Sequence, residues 1–167
     1  MDVNKITELV RAAMANDYAV ENSATSSGVE RVNLDVAREL SREVIAEAAR
    51  IGVKAVCAVV DSGARPILVE CTDDSYIASY DIALNKAFTS VSLKMKTSLL
   101  AELAQPNAPL YGIQNTHEGK IVIFGGGVPL VKDGKVIGGF AVSGGSAEQD
   151  TYLGDYAEGV FNKMLGR

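Results

Sequence analysis

Four groups of residues have types and spacings that suggest chemistry. Ser143-Gly144-Gly145 stands immediately before Ser146 at what reads as the start of a helix. Backbone N–H groups there lie at the positive end of the helix dipole and could hold a carboxylate. The same two glycines serve equally well to turn a strand into a helix. Gly125-Gly126-Gly127, with Pro129 two residues on, permits a tight backbone path and close approach of a ligand or a neighbouring subunit. A phosphate cradle would need a strand, a glycine turn and a helix, whereas these glycines join two strand-like runs, so a bulge between strands is the stronger reading. Lys86 could pair with a carboxylate or, if buried, become a nucleophile of lowered pKa; on a surface it would simply reach for solvent. Asp61 and Asp150 form an acid/base pair only if the fold joins them. Turn formation and helix N-terminal charge account for both otherwise.

Other chemistries lack their parts. The chain has no Gly-x-Ser-x-Gly, no HExxH and no serine and histidine at a family spacing, so no hydrolytic nucleophile comes with a base and no assembled catalytic site is expected. One histidine and two separated cysteines cannot close a zinc site. Cys57 and Cys71 each sit in a strand-like apolar stretch and read as reduced; they could pair only if their strands were neighbours. The net charge of −5 gives no electrostatic footprint for nucleic acid. No apolar run reaches the roughly 18 residues needed to span a bilayer, and Met1-Asp2 with Glu8 does not open like a secretory leader, so a cytoplasmic address is expected.

The elements that must position these residues follow from periodicity. Residues 1–31 hold a short amphipathic helix with a stripe from Ile6 to Met14, then a flexible Ser/Thr/Gly-rich linker from Val20 to Glu30, both assigned to assembly. Residues 32–167 read as one domain. A helix begins near Asn33 or Asp35 and stops at Gly52, with Leu34, Ala37, Leu40, Val44, Ala48 and Ile51 along one face. Val53 to Val60 reads as a buried central strand, and Pro66 to Cys71 as the returning arm of a hairpin. Asp73 or Asp74 is placed to cap a long helix through Ile77, Leu84, Phe88 and Val91, followed by a short helix at about Ser98 to Leu103. Ala104 to Gly119 reads as a long loop. Strands are expected at Lys120 to Phe124, Val128 to Val131 and Val136 to Ser143, the last two joined by an Asp133-Gly134 turn. Ser146 and Gln149 have the spacing of a capping box that opens a last helix to about Leu165. The order implies an α+β fold, an antiparallel sheet flanked by helices.

Three segments, VVDSGARPI at Val59 to Ile67, IALNKAFTS at Ile82 to Ser90 and GGGVPLVKDGKVIGGFAVSGGSAEQD at Gly125 to Asp150, together resemble the GlcG/HbpS-like haem-binding family, which includes the C-terminal domain of PduO-type proteins. The resemblance covers about Leu34 to Phe161. It implies a five-stranded antiparallel sheet, homo-oligomeric assembly, and a non-catalytic role in binding a small planar or anionic ligand, haem or a corrinoid, beside alcohol or organic-acid catabolism. It also nominates Lys86, Gly125, Gly126, Gly127, Ser143, Gly144 and Gly145 as lining the ligand site. His117 then becomes the candidate haem axial ligand, with Tyr111 in the same loop as a stacking or ligating partner, although a lone loop histidine among polar residues is ordinarily just solvated. Without a CxxCH motif any haem would be non-covalent. Where the family commonly has arginine and methionine after the second strand this chain has Glu70 and Cys71, where it has arginine after Lys86-Ala87 this chain has Phe88, and Ala141 replaces a glycine. These departures remove two basic groups from an anionic ligand's surroundings. An enzyme or cofactor chaperone using Lys86 and Asp150, or a structural module without ligand, are the alternatives.

Overall fold

The computed structural model describes residues 29–166, so the expected helix of Ile6 to Met14 and nearly all of the linker lie outside the described residues. Helix α1 (Leu34–Arg50) starts where Asn33 places its side-chain oxygen 3.0 Å from the Val36 N–H, which it accepts as an N-cap. Strand β1 (Val56–Asp61) follows, then β2 (Pro66–Cys71), helix α2 (Ile77–Ser92) and the short helix α3 (Thr97–Leu103). The long loop contains two single turns of 3-10 helix, Ile113–Asn115 and His117–Gly119. Strands β3 (Gly127–Lys132) and β4 (Lys135–Ser143) form a hairpin, and helix α4 (Ala147–Met164) closes the domain. At the hairpin tip Asp133 and Gly134 both take positive φ, 47° and 76°, the paired left-handed conformation that suits an antiparallel turn.

Among the described residues the sheet is antiparallel and has four strands in the order β2-β1-β4-β3, not the five expected. Lys120 to Phe124 does not join it. The Thr89 hydroxyl on α2 accepts from the Val122 N–H at 3.1 Å and lies 3.3 Å from the Lys120 carbonyl, so this apolar segment leans on a helix instead of pairing with β3. β3 therefore forms a sheet edge and carries Pro129, which has no N–H to donate. Neither Asp73 nor Asp74 caps α2. Tyr76 occupies the cap position without a side-chain bond, and Asp74 lies in the preceding turn at a φ of 62°.

Alternation along the strands sends residues to two helical layers. Cys57, Val59, Val128, Leu130, Phe140 and Val142 pack with Leu40 and Val44 of α1 and Leu153, Ala157 and Phe161 of α4. Val56, Ala58, Val60 and Ala141 face Ala83, Ala87 and Val91 of α2. Small residues on this second face bring α2 close to the sheet, which decides where Lys86 ends up: a Cβ on Gly127 would lie 2.7 Å from the Lys86 carbonyl. Ala141, in place of a glycine, is fully buried among these small neighbours. The same alternation separates the cysteines. Val56 pairs with Cys71 and Cys57 with Glu70, so the two sulfur-bearing side chains project from opposite faces, and both thiols are free.

Candidate functional site

Lys86 falls on the face of α2 that packs on the sheet, in the rhythm of Ala83, Ala87 and Ser90, all buried. Its side chain is fully enclosed rather than extended to solvent. Nζ donates to Asp150 Oδ2 at 2.7 Å and to the Val142 carbonyl at 3.0 Å, and stands 5.2 Å from the centre of the Phe124 ring. Burial pulls its pKa below the ordinary lysine value, against the charge of Asp150 and the hydrogen bond to it.

Asp150 comes from the first turn of α4, which opens with the expected capping box: Ser146 accepts from the Gln149 N–H, and Gln149 accepts from the Ser146 N–H. The second oxygen of Asp150 accepts from the Gly145 N–H at 2.9 Å. Two of the donors that could have held an external carboxylate are therefore satisfied from inside the chain, one by Asp150 and one by Gln149. Asp150 bridges a buried ammonium and a helix N-terminus at once.

Above this bridge lies a cleft of about 330 Å³ lined by Tyr76, Ser79, Ile82, Phe124, Ser143, Gly144, Gly145 and Asp150, among others. On the other side of Phe124 is a groove of about 530 Å³ between α3 and α4, walled by Ser98, Ala101, Gly125, Thr151, Tyr152 and Asp155. The two share Phe124 and Ala147. Together they make one trough with Phe124 standing in it, 44% exposed.

The glycines divide by function. Gly144, at a φ of 152°, and Gly145 line the cleft, with no room for a Cβ on Gly144 against the Lys54 carbonyl. Gly126, at a φ of 112°, lies behind the cleft, where a Cβ would come within 2.7 Å of the Val142 carbonyl and 3.0 Å of Lys86 Nζ. Gly125 lines the groove, and Gly127 packs against α2. Gly126 and Gly127 thus pack closely around Lys86, and the triplet is not the expected bulge between two strands, because the run before it does not join the sheet.

His117 lies outside both the cleft and the groove. It is exposed at a φ of 52°, with its ring edge-on to Phe88 at 5.3 Å. Tyr111 is exposed in the same loop. Asp61 is also remote: in the β1–β4 register it pairs with Gly138, whereas Val56 at the other end of β1 pairs with Ser143, so Asp61 and Asp150 form no acid/base pair. Asp61 accepts from the Gly63 and Arg65 N–H groups and from the Arg65 side chain.

Two features were missed by sequence reasoning. Tyr152, on the groove wall, donates to Glu47 of α1, and Arg50 donates to the same carboxylate at 2.6 Å and 2.8 Å. Arg50 first, then Tyr152, hold the Glu47 carboxyl down to about 2. Only the three-residue spacing of Glu47 and Arg50 signalled any of this. The second is the partner of Glu70, whose carboxylate accepts a 2.6 Å bond from Ser41, tying β2 to α1.

Comparison with known proteins agrees with this architecture. Residues 32–157 match the family described as haem degrading protein HbpS-like. The chain is 41% identical over 139 residues to the 15.0 kDa protein of the dhaT-dhaS intergenic region of Citrobacter freundii, covering 83% of this chain and 98% of that one. It is 33% identical over 144 residues to the corrinoid adenosyltransferase PduO of Citrobacter freundii, covering 86% of this chain but 43% of that protein's length. The crystal structure of the PduOC:haem complex superposes with a TM-score of 0.74 at 34% identity, covering 77% of this chain and 94% of that chain. Lys86, the glycines packed around it and the strand-to-helix turn all fall inside the matched region, and the chain belongs to the HbpS-like family.

Proposed function

We propose that this chain is a non-catalytic small-ligand-binding protein whose ligand occupies the trough around Phe124. The observation that carries the reading is the cleft itself: aromatic and aliphatic walls from Tyr76, Ile82 and Phe124 above a floor where Lys86 and Asp150 neutralise one another. Such a site favours a ligand with a broad apolar face and few polar groups.

Haem, bound non-covalently, is the first candidate, because a relative at 34% identity has been crystallised with it. The walls suit a planar ring. For the iron, the axial-ligand types in the trough are Tyr76, 73% exposed at the rim, and Tyr152, whose hydroxyl is engaged by Glu47. Tyr76 and Phe124 are thus the residues that would hold a haem here, and iron would supply the one strong directional bond that the neutral floor does not. Ligation by His117 would place haem elsewhere, against Phe88. Corrinoids are the second candidate, supported by the match to part of PduO.

The chain works as a homo-oligomer, a reading supported by Tyr76, Ile77 and Tyr80, exposed by 73%, 96% and 46% around the first turn of α2. A cytoplasmic site of action accords with two unpaired cysteines, one of them exposed. No helix among the described residues is long and apolar enough to cross a membrane.

Haemin titration followed by Soret absorption tests the reading, run on the wild type, Phe124→Ala, Tyr76→Phe and His117→Ala. Saturable binding weakened by Phe124→Ala and indifferent to His117→Ala is the expected result. Featureless uptake, or weakening by His117→Ala alone, would overturn the placement, and saturable cobalamin binding in its stead would make the ligand a corrinoid.

A further inference from the structure

We propose that Lys86 is a carbonyl-capturing lysine, which forms an imine with a small aldehyde admitted to the cleft beside Phe124. The inference shares the cleft with the reading above but concerns a covalent reaction that haem binding neither requires nor excludes.

The geometry supplies each part. Lys86 Nζ lies one side chain beneath the cleft surface: Asp150, 2.7 Å away, and Phe124, whose ring centre is 5.2 Å away, both line the cleft. Two of the three ammonium hydrogens are taken by Asp150 and the Val142 carbonyl, and the ring of Phe124 stands near the same nitrogen. Phe124 is the half-exposed member of this enclosure, and capture requires its ring to turn aside for an aldehyde in the cleft to reach the nitrogen. A volume of about 330 Å³ admits a small aldehyde, whose apolar part meets Ile82 and Tyr76.

The reaction balances within the site. Asp150 Oδ2 accepts a proton from the Lys86 ammonium, leaving a neutral amine and a neutral carboxyl group. The amine lone pair attacks the carbonyl carbon, the carbonyl π pair moves to oxygen, and Asp150 returns its proton to that oxygen. Asp150, ionised again, takes a second hydrogen from the now positively charged nitrogen and passes it to the hydroxyl, which departs as water as the C=N bond forms; the third hydrogen of the original ammonium stays on nitrogen. Aldehyde and lysine ammonium thus give a protonated imine facing the Asp150 carboxylate, and water, with no oxidant or reductant. Burial, which lowers the pKa of Lys86, raises the fraction of neutral amine over that of a solvated lysine.

The test is reductive trapping with propionaldehyde and sodium cyanoborohydride at pH 7, with peptide mapping by mass spectrometry. Lys54, Lys94, Lys120 and Lys135 are exposed and serve as internal references. A lysine of lowered pKa holds more neutral amine at pH 7, so Lys86 should label faster than any reference lysine. Phe124→Ala should speed labelling of Lys86 without altering the references. Labelling that follows exposure, with Lys86 unmodified in the folded wild type and in Phe124→Ala, would overturn the proposal. Because the readout is a mass on one peptide, its failure leaves the haemin result untouched.

Discussion

Lys86 and Asp150 stand 64 residues apart in the chain, yet their charged atoms meet at 2.7 Å inside the protein, with side chains 1% and 6% exposed. The contact joins α2 to α4 and fixes the floor of the cleft. Removing one partner leaves the other charge buried and alone, a change that costs about 3–5 kcal/mol, whereas replacing both with apolar groups of similar size is often tolerated. Asp150→Ala should therefore lose about 3–5 kcal/mol of unfolding free energy in urea, and Lys86→Met combined with Asp150→Leu should recover most of it. Equal losses in the single and double variants would mean that the pair is not buried as described.

The glycines behind the cleft and in α4 should be unequal in their tolerance. Gly126→Ala places a methyl group 2.7 Å from the Val142 carbonyl at a φ of 112° and should destabilise by about 1–3 kcal/mol. Gly159, inside α4 with nothing within 4 Å of where a methyl group would sit, should gain up to about 1 kcal/mol as alanine. Thermal unfolding of the two variants measures the contrast directly.

Glu47 gives the protein an acid-sensitive joint between α1 and α4. Its folded pKa of about 2 lies below the ordinary glutamate value of 4.5, so it contributes stability that is present above pH 4.5 and is lost as the pH falls toward 2. Glu47→Gln should flatten the fall in stability between those values, and Tyr152→Phe should flatten it partly, because the Arg50 bond remains. Denaturation curves collected from about pH 5 to pH 2 would show an unchanged slope if the joint does not form.

The cysteines should separate by reactivity. Cys57 is buried, and desolvation pushes its thiol up to about 12, while Cys71 is exposed. One thiol per chain should react with a disulfide reagent in the native protein and two after unfolding. Two fast thiols, or none, would contradict the opposite-face register of β1 and β2.

Much of the scaffold was legible because its signals are local. Asn33 caps α1, Ser146 and Gln149 close their box, and Asp133-Gly134 makes the hairpin turn, each settled within four residues of sequence. Lys120 to Phe124 misled because an apolar β-branched run carries the same pattern whether it pairs with a strand or leans on a helix, and Thr89, some 30 residues away, decides which. The site was legible as a set of residue types but not as an arrangement. Lys86 shows neither its burial nor its partner in its own helix, since both depend on small residues of β3 and β4 that let α2 approach. Nothing near Ser143-Gly144-Gly145 reveals that Asp150 already occupies the Gly145 donor.

The claim that the trough around Phe124 holds the ligand is tested most directly by amide NMR of the folded protein on addition of zinc protoporphyrin. The account predicts saturable shifts confined to Tyr76, Ser79, Phe124, Gly144, Gly145 and their neighbours. Shifts centred instead on His117 and Phe88, or scattered without saturation, would contradict it.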